Sequence, residues 1–385
     1  MSWEENPSER QAFRRRVKAW YAKHGRLLPW RATDDPYRIW ISEVMLQQTT
    51  VAAVIPYFER FVAAFPNVES LADAEEEAVL RHWEGLGYYS RARNLRKAAQ
   101  AIVGDFGGEF PRSVRELESL PGIGRYTAGA IASFAFGVRA PIVEANTERL
   151  YARLIALDEP TQSTAGKKRL WKFAEAILPR SAVGDFNQAL MDLGSQICRP
   201  TDPACDDCPV QPHCAAHRQS RVADYPRPKP RATLTDVTEA AVVLRHIGKV
   251  LLRQRPADER WTGLWDFPRF ELANCGWLPK LSGDPQPVLP GLLPPIEEGV
   301  RELVGASVSI DRWWAEIRHG VTRYRIRLLC FGADVDEAVA AAVTNDAASD
   351  APPLRWVDSA AAGELPLTRT ARQLADLVFR ESGHG

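Results

Sequence analysis

The chain has 385 residues, equal numbers of basic and acidic side chains, 45% hydrophobic residues and 25% charged residues. That length predicts two or three domains with ordinary globular cores. No apolar run is long enough for a membrane span and the N-terminal residues lack a signal-peptide stretch, so no membrane partner is expected and the expected location is the cytoplasm.

Residues 9–24 predict a helix with Phe13, Val17, Trp20 and Tyr21 on one face and Arg14, Arg15, Arg16 and Lys18 elsewhere. Leu28-Pro29-Trp30-Arg31 breaks it. A second helical pattern starts at Pro36 and runs through YRIWISEVMLQQTTV, with Glu43 as its one acid among Ile41, Val44, Met45 and Leu46. On a helix surface that carboxylate would be unremarked. Buried, its pKa would rise and it would donate a proton near neutral pH. Gln47 and Gln48 place amides beside it.

Further helices are predicted near 51–64, 71–84, 91–103 and 113–119. The loop Gly85-Leu86-Gly87-Tyr88-Tyr89 separates two of them and precedes Arg91, Arg93, Arg96 and Lys97. Such a pattern suits either aromatics that wedge into a base stack beside phosphate-binding cations, or a core tyrosine pair beside a solvated helix. Pro121-Gly122-Ile123-Gly124 is a tight turn feeding a helix N-terminus, which suits a phosphate or a plain interhelix connection. No strand alternation occurs before residue 235, so this half reads as all-α. A helix over 184–197 runs into Cys198-x6-Cys205-x2-Cys208-x5-Cys214, four thiols whose crowding suits zinc or an iron–sulfur cluster, the unequal spacing favouring a cluster loop. Cys275 and Cys330 stand alone.

Residues 219–236 are rich in Pro and basic side chains and read as a linker. TEAAVVLR and KVLLRQR then read as paired strands. A Pro-rich loop over 283–295, a helix near 296–304, strands near 307–318 and 322–331 and a helix over 368–381 complete an α/β or α+β domain.

Together, LPWR at 28–31, SEVMLQQT at 42–49, GLGYYSRARNL at 85–95, LPGIGRYTAGA at 120–130 and the cysteine spacing resemble the endonuclease III superfamily of helix-hairpin-helix DNA glycosylases. Within it the likeness is to the MutY family of adenine glycosylases. The resemblance implies a multidomain fold: an all-α glycosylase domain over 1–218 with a [4Fe–4S] loop at 198–214, a linker over 219–236, and a smaller α/β MutT-like (Nudix-fold) domain over 237–385. It implies hydrolytic release of adenine mispaired with 8-oxoguanine or guanine in duplex DNA by a monomer. Glu43 is then the general acid and Glu144 the carboxylate that stabilises the oxocarbenium-like sugar, with Asn146 beside it. Trp30, Arg31, Leu46 and Gln188 match the adenine pocket, Gln48 and Tyr88 the duplex wedge, Gly122 and Gly124 the phosphate contacts, and Cys198, Cys205, Cys208 and Cys214 the cluster ligands. Tyr126 stands where lyase relatives carry a Schiff-base lysine, which implies a monofunctional enzyme. Thr322, in Arg318–Tyr324, matches a lesion-reading loop.

The chain departs from the family in three places. Glu144-Ala145-Asn146 replaces an Asp-Gly-Asn stretch, so the acid is one methylene longer. Arg323 stands in place of a histidine. The paired glutamates of a catalytic Nudix box are missing at Gly305 and Ala306, so magnesium-dependent pyrophosphate hydrolysis is not expected. Two other readings compete: a thymine glycosylase acting on T:G mismatches, which Tyr126 permits, and a non-catalytic lesion-binding protein with Glu144 marking a lost site.

Overall fold

Short-range capping signals start most of the N-terminal helices. Asn6, Asp35, Thr50, Ser113 and Ser163 each accept a backbone N–H of the first turn of the helix that follows, and Pro36 adds a preset φ at its first position. The structure is a computed structural model describing residues 3–227, 233–272, 291–343 and 352–382. Cys275 and the Pro-rich stretch up to residue 290 lie outside the described residues.

In chain order the helices are α1 (Pro7–His24), α2 (Pro36–Leu46), α3 (Val51–Ala64), α4 (Val68–Asp73), α5 (Glu76–Trp83), α6 (Ser90–Phe106), α7 (Val114–Ser119), α8 (Arg125–Phe134), α9 (Ala145–Leu154), α10 (Thr164–Ile177), α11 (Val183–Asp192) and α12 (Ala215–Arg218). Two expected helices are corrected. α2 stops at Leu46 rather than running to residue 51, because Gln48 takes a left-handed φ of 59°. The helix expected over 71–84 is two helices, separated by extended Ala74 and Glu75, and an Asn67–Ser70 capping box starts the first of them at Val68. α11 passes into a π-helical turn over Leu193–Ile197, which delivers the chain to Cys198.

Contacts divide the chain into two compact units, 1–74 with 90–230, and 75–89 with 231–385. In the first, Phe13 and Val17 of α1, Tyr151 of α9, Phe173 of α10 and Phe186 and Leu190 of α11 share one core with Cys198 and Val210. Tyr225 is buried, and its carbonyl accepts Arg153 Nε at 3.0 Å.

In the second unit, β1 (Thr235–His246), β2 (Lys249–Gln254), β3 (Trp265–Asp266), β4 (Arg269–Glu271), β5 (Arg312–Val321), β6 (Tyr324–Asp334) and β7 (Leu354–Val357) form one mixed sheet. Its main order is β3-β2-β1-β6-β5, with β1 and β6 parallel and the other pairs antiparallel; β4 pairs with β1 and β7 with β2. One face packs on α16 (Arg369–Ser382), with α15 (Ser359–Glu364) beside it, and the other on α13 (Leu293–Val304). α14 (Glu337–Ala342) follows β6. The expected β1–β2 pair forms, and the two later expected strands form as β5, which begins at Arg312 rather than near 307, and β6, which pairs with it; the short β3, β4 and β7 escaped the sequence reading because two to four residues show no usable alternation. Among the described residues no helix is long and apolar enough to cross a membrane.

Candidate active site

α2 is apolar on most sides, so it buries Glu43, which is 3% exposed. Burial raises the Glu43 pKa to about 7, against the opposing pull of a hydrogen bond from the Tyr126 hydroxyl and of the Arg31 charge; the Glu144 charge raises it further. Tyr126, on the first turn of α8, donates that bond to Glu43 Oε2. Trp30, Arg31, Ile39, Ser42, Glu43, Phe134, Gln188 and Met191 line one pocket. Leu46, the last residue of α2, is not part of that lining and is half-buried.

The pocket is braced from behind. Asp192, with no exposed surface, accepts Arg31 Nη1 at 2.7 Å and Nη2 at 3.0 Å, and Arg26 Nε at 2.7 Å. Tyr21 donates its hydroxyl to Gln188 Oε1 at 2.9 Å. Gln188 and Asp192 sit four apart on α11 and so share a face. Asp192 escaped the sequence reading, although that spacing was available as a signal, and Tyr21 was read only as part of the apolar face of α1.

Glu144 occupies the N-cap of α9. Its carboxylate accepts the backbone N–H of Asn146 and of Thr147, both at 2.8 Å, and the Asn146 side chain at 3.1 Å. Burial raises its pKa, while those N–H groups and the Arg149 charge pull it back. The longer side chain thus finds a capping geometry that satisfies it. Arg149 continues the chain of contacts, donating to Asn146 Oδ1 at 3.0 Å, to the Gly194 carbonyl at 2.6 Å and to the Cys198 carbonyl at 2.7 Å. Gly194 is required here, because a Cβ would lie 2.7 Å from the Asn146 carbonyl oxygen.

Cys198, Cys205, Cys208 and Cys214 line one cavity together with Arg153, whose Nη1 lies 3.3 Å from Cys198 Sγ. Burial pushes the Cys208 thiol up to about 12 and the Cys214 thiol to about 11. Among the described residues no three His, Cys, Asp or Glu side chains converge closely enough to hold a single metal ion.

Gly122 and Gly124 are exposed at the turn into α8, and Gly122 adopts φ 75° with Asn94 packed against it. The basic run after the glycine loop is mostly not a free cationic face: Arg91 Nη1 donates to the carbonyls of Val44, Met45 and Gln47 at 2.7, 3.1 and 2.6 Å, and Arg96 donates to the Ala74 carbonyl. Lys97 is exposed. The tyrosine pair divides: Tyr89 is buried and Tyr88 is 50% exposed. Thr322 sits in the β5–β6 turn at φ 52°. Gln48 belongs to the first compact unit, Tyr88 and Thr322 to the second.

A model of the HhH-GPD superfamily of base excision DNA repair proteins matches residues 41–176, and a NUDIX domain model matches 239–377. An adenine DNA glycosylase of Buchnera aphidicola (subspecies Acyrthosiphon pisum) is 39% identical over 260 residues, 67% of this chain and 74% of that protein. The adenine DNA glycosylase of Mus musculus is 37% identical over 313 residues, 68% of this chain and 61% of that protein. A solved thermostable thymine-DNA glycosylase superposes with a TM-score of 0.51 at 30% identity, covering 55% of this chain and 97% of that one. With a buried acid in a braced pocket, a hairpin turn ahead of α8 and a Nudix-like second half, this chain belongs to the adenine DNA glycosylases, base-excision-repair enzymes of the helix-hairpin-helix superfamily.

Proposed function

We propose that the enzyme hydrolyses the N-glycosidic bond of adenine opposite 8-oxoguanine or guanine in duplex DNA, with Glu43 as general acid. The observation that carries this reading is Glu43 itself: a carboxyl with a pKa of about 7, inside a pocket it shares with Arg31 and Gln188. Adenine leaves slowly until a ring nitrogen is protonated, and a positioned acid contributes roughly 10²–10⁴-fold. The base must first leave the stack, at a cost of about a few kcal/mol. Gln48 and Tyr88 are assigned to the wedge that offsets this cost, and the Gly122–Gly124 turn to the phosphates.

As the base departs, positive charge develops on the sugar. Glu144, its carboxylate held by the Asn146 and Thr147 N–H groups, is assigned to stabilise it. Tyr126 has no amine, so strand cleavage through a Schiff base is not expected. Thr322 is assigned to the oxidised base. Four thiols in one cavity, with Arg149 and Arg153 beside Cys198, suit a [4Fe–4S] cluster, whose anionic thiolates those cations would offset. When bound, the cluster would cross-link the 198–214 loop.

The similarity to a thymine glycosylase keeps release of T opposite G as the second reading. Purified protein is incubated with duplexes carrying A opposite 8-oxoguanine, A opposite G, or T opposite G, then treated with alkali. Strand scission at A is expected. Scission at T only, or tight binding without scission, would overturn the proposal.

A further inference from the structure

Residues 75–89 lie inside the stretch matched by the HhH-GPD superfamily, yet they pack in the same compact unit as residues 231–385. The anchor is Glu84, which follows the last residue of α5. Its carboxylate accepts Arg372 Nε at 2.8 Å and Nη2 at 2.9 Å as a fork, and the Leu367 N–H at 3.3 Å. Arg372 is aimed by the carbonyls of Ala362 at 2.7 Å and Leu365 at 2.8 Å. Near the start of α5, Glu77 accepts the indole N–H of buried Trp265 at 2.7 Å.

Beyond Glu84 the backbone is left-handed at Gly85, Gly87 and Tyr88, with φ of 97°, 70° and 49°. The loop is closed internally: Trp83 Nε1 donates to the Gly87 carbonyl at 3.1 Å and Gly85 N–H to the Tyr89 hydroxyl at 3.2 Å. Tyr88, a bulky residue at a φ that only surrounding structure sustains, stands half exposed at its tip.

A side chain that parts stacked base pairs must push against something that does not yield. A two-pronged charged pair supplies both strength and orientation. We propose that Arg372 is a positioning residue for base extrusion: through Glu84 it fixes the loop that drives Tyr88 into the duplex. The inference rests on the reading of Tyr88 as a wedge. It means that the unit carrying Thr322, assigned to the lesion, also carries the residue that opens the helix, so lesion reading and strand opening are properties of one packed body.

The test uses full-length protein and duplexes with 2-aminopurine at the target position, read by fluorescence on extrusion, alongside single-turnover adenine release from A:8-oxoguanine and A:G duplexes. Arg372→Gln is expected to slow release about tenfold on both duplexes, the size of one charge-assisted contact, and to weaken the extrusion signal. Arg372→Lys, which keeps the charge without the fork, should fall between; it carries the test if the glutamine variant fails to fold. In a Tyr88→Ala background Arg372→Gln should add little. Effects that multiply in the double variant, or a defect confined to A:8-oxoguanine, would overturn the inference. Should Tyr88→Ala by itself leave extrusion intact, the wedge reading falls and this inference with it; a Tyr88 defect without an Arg372 defect removes the inference alone.

Discussion

Asp192 holds Arg31 by both terminal nitrogens, at 2.7 and 3.0 Å, from a position with no exposed surface. The pairing fixes the plane of the one guanidinium that lines the pocket, and the Asp192 carboxylate is kept well ionised by Arg31 and Arg26. Asp192→Asn leaves Arg31 without its counter-charge. Breaking a buried pair costs about 3–5 kcal/mol, so urea denaturation should show a loss of that size. Adenine release should fall more than tenfold under conditions where the variant stays folded. Native stability and native turnover in that variant would show the pair to be dispensable.

Glu43→Gln removes the proton and keeps the shape. Base release should drop by at least ~100-fold while affinity for the mispaired duplex stays near that of the parent, measured by single-turnover kinetics and titration. Equal activity would take Glu43 out of its role.

The same carboxyl sets the pH dependence. Release should fall as pH rises through about 7, where Glu43 ionises, and fall again in acid, where Glu144, its pKa raised by burial, loses the charge assigned to it. Stability follows the same sign: the folded state binds a proton the unfolded chain has lost, so ionising Glu43 destabilises the fold increasingly between 4.5 and about 7. The Tm of Glu43→Gln relative to the parent should therefore climb across that window and level off above it. A flat difference would mean that Glu43 ionises normally.

The Tyr126 hydroxyl donates to Glu43 and thereby favours its charged form. Tyr126→Phe should move the alkaline limb of the rate profile to higher pH. A shift to lower pH would contradict the hydrogen bond.

Glu144 caps α9 with two backbone N–H bonds, a task that aspartate performs at least as well. Glu144→Asp should retain or improve turnover, and Glu144→Ala should lose both cap and charge, costing about 1 kcal/mol in Tm-derived stability as well as activity. A large loss in the aspartate variant would mean that the pocket is built around the longer side chain.

Much of this was legible along the chain. Helix starts follow from caps that act within three residues, as at Asp35-Pro36 and Thr50, and the cysteine crowding and glycine turns are local patterns too. Apolar periodicity located α2 and with it Glu43, since a lone acid in such a helix is either surfaced or functional. What periodicity cannot report is which distant group a side chain meets. Nothing near Tyr88 and Tyr89 says that one is exposed and the other buried. Arg91 read as either a phosphate-binding or a solvated cation, but in the fold α2 and Gln47 supply three carbonyls for it. Asp192 drew no notice because its partners lie more than 160 positions away. The pKa of Glu43 depends on desolvation by the packed pocket and on Tyr126, Arg31 and Glu144, charges and dipoles gathered from three separate segments. Local order is encoded by neighbours in the chain; burial and pairing are sums over neighbours in space, and they exist only once the chain has folded.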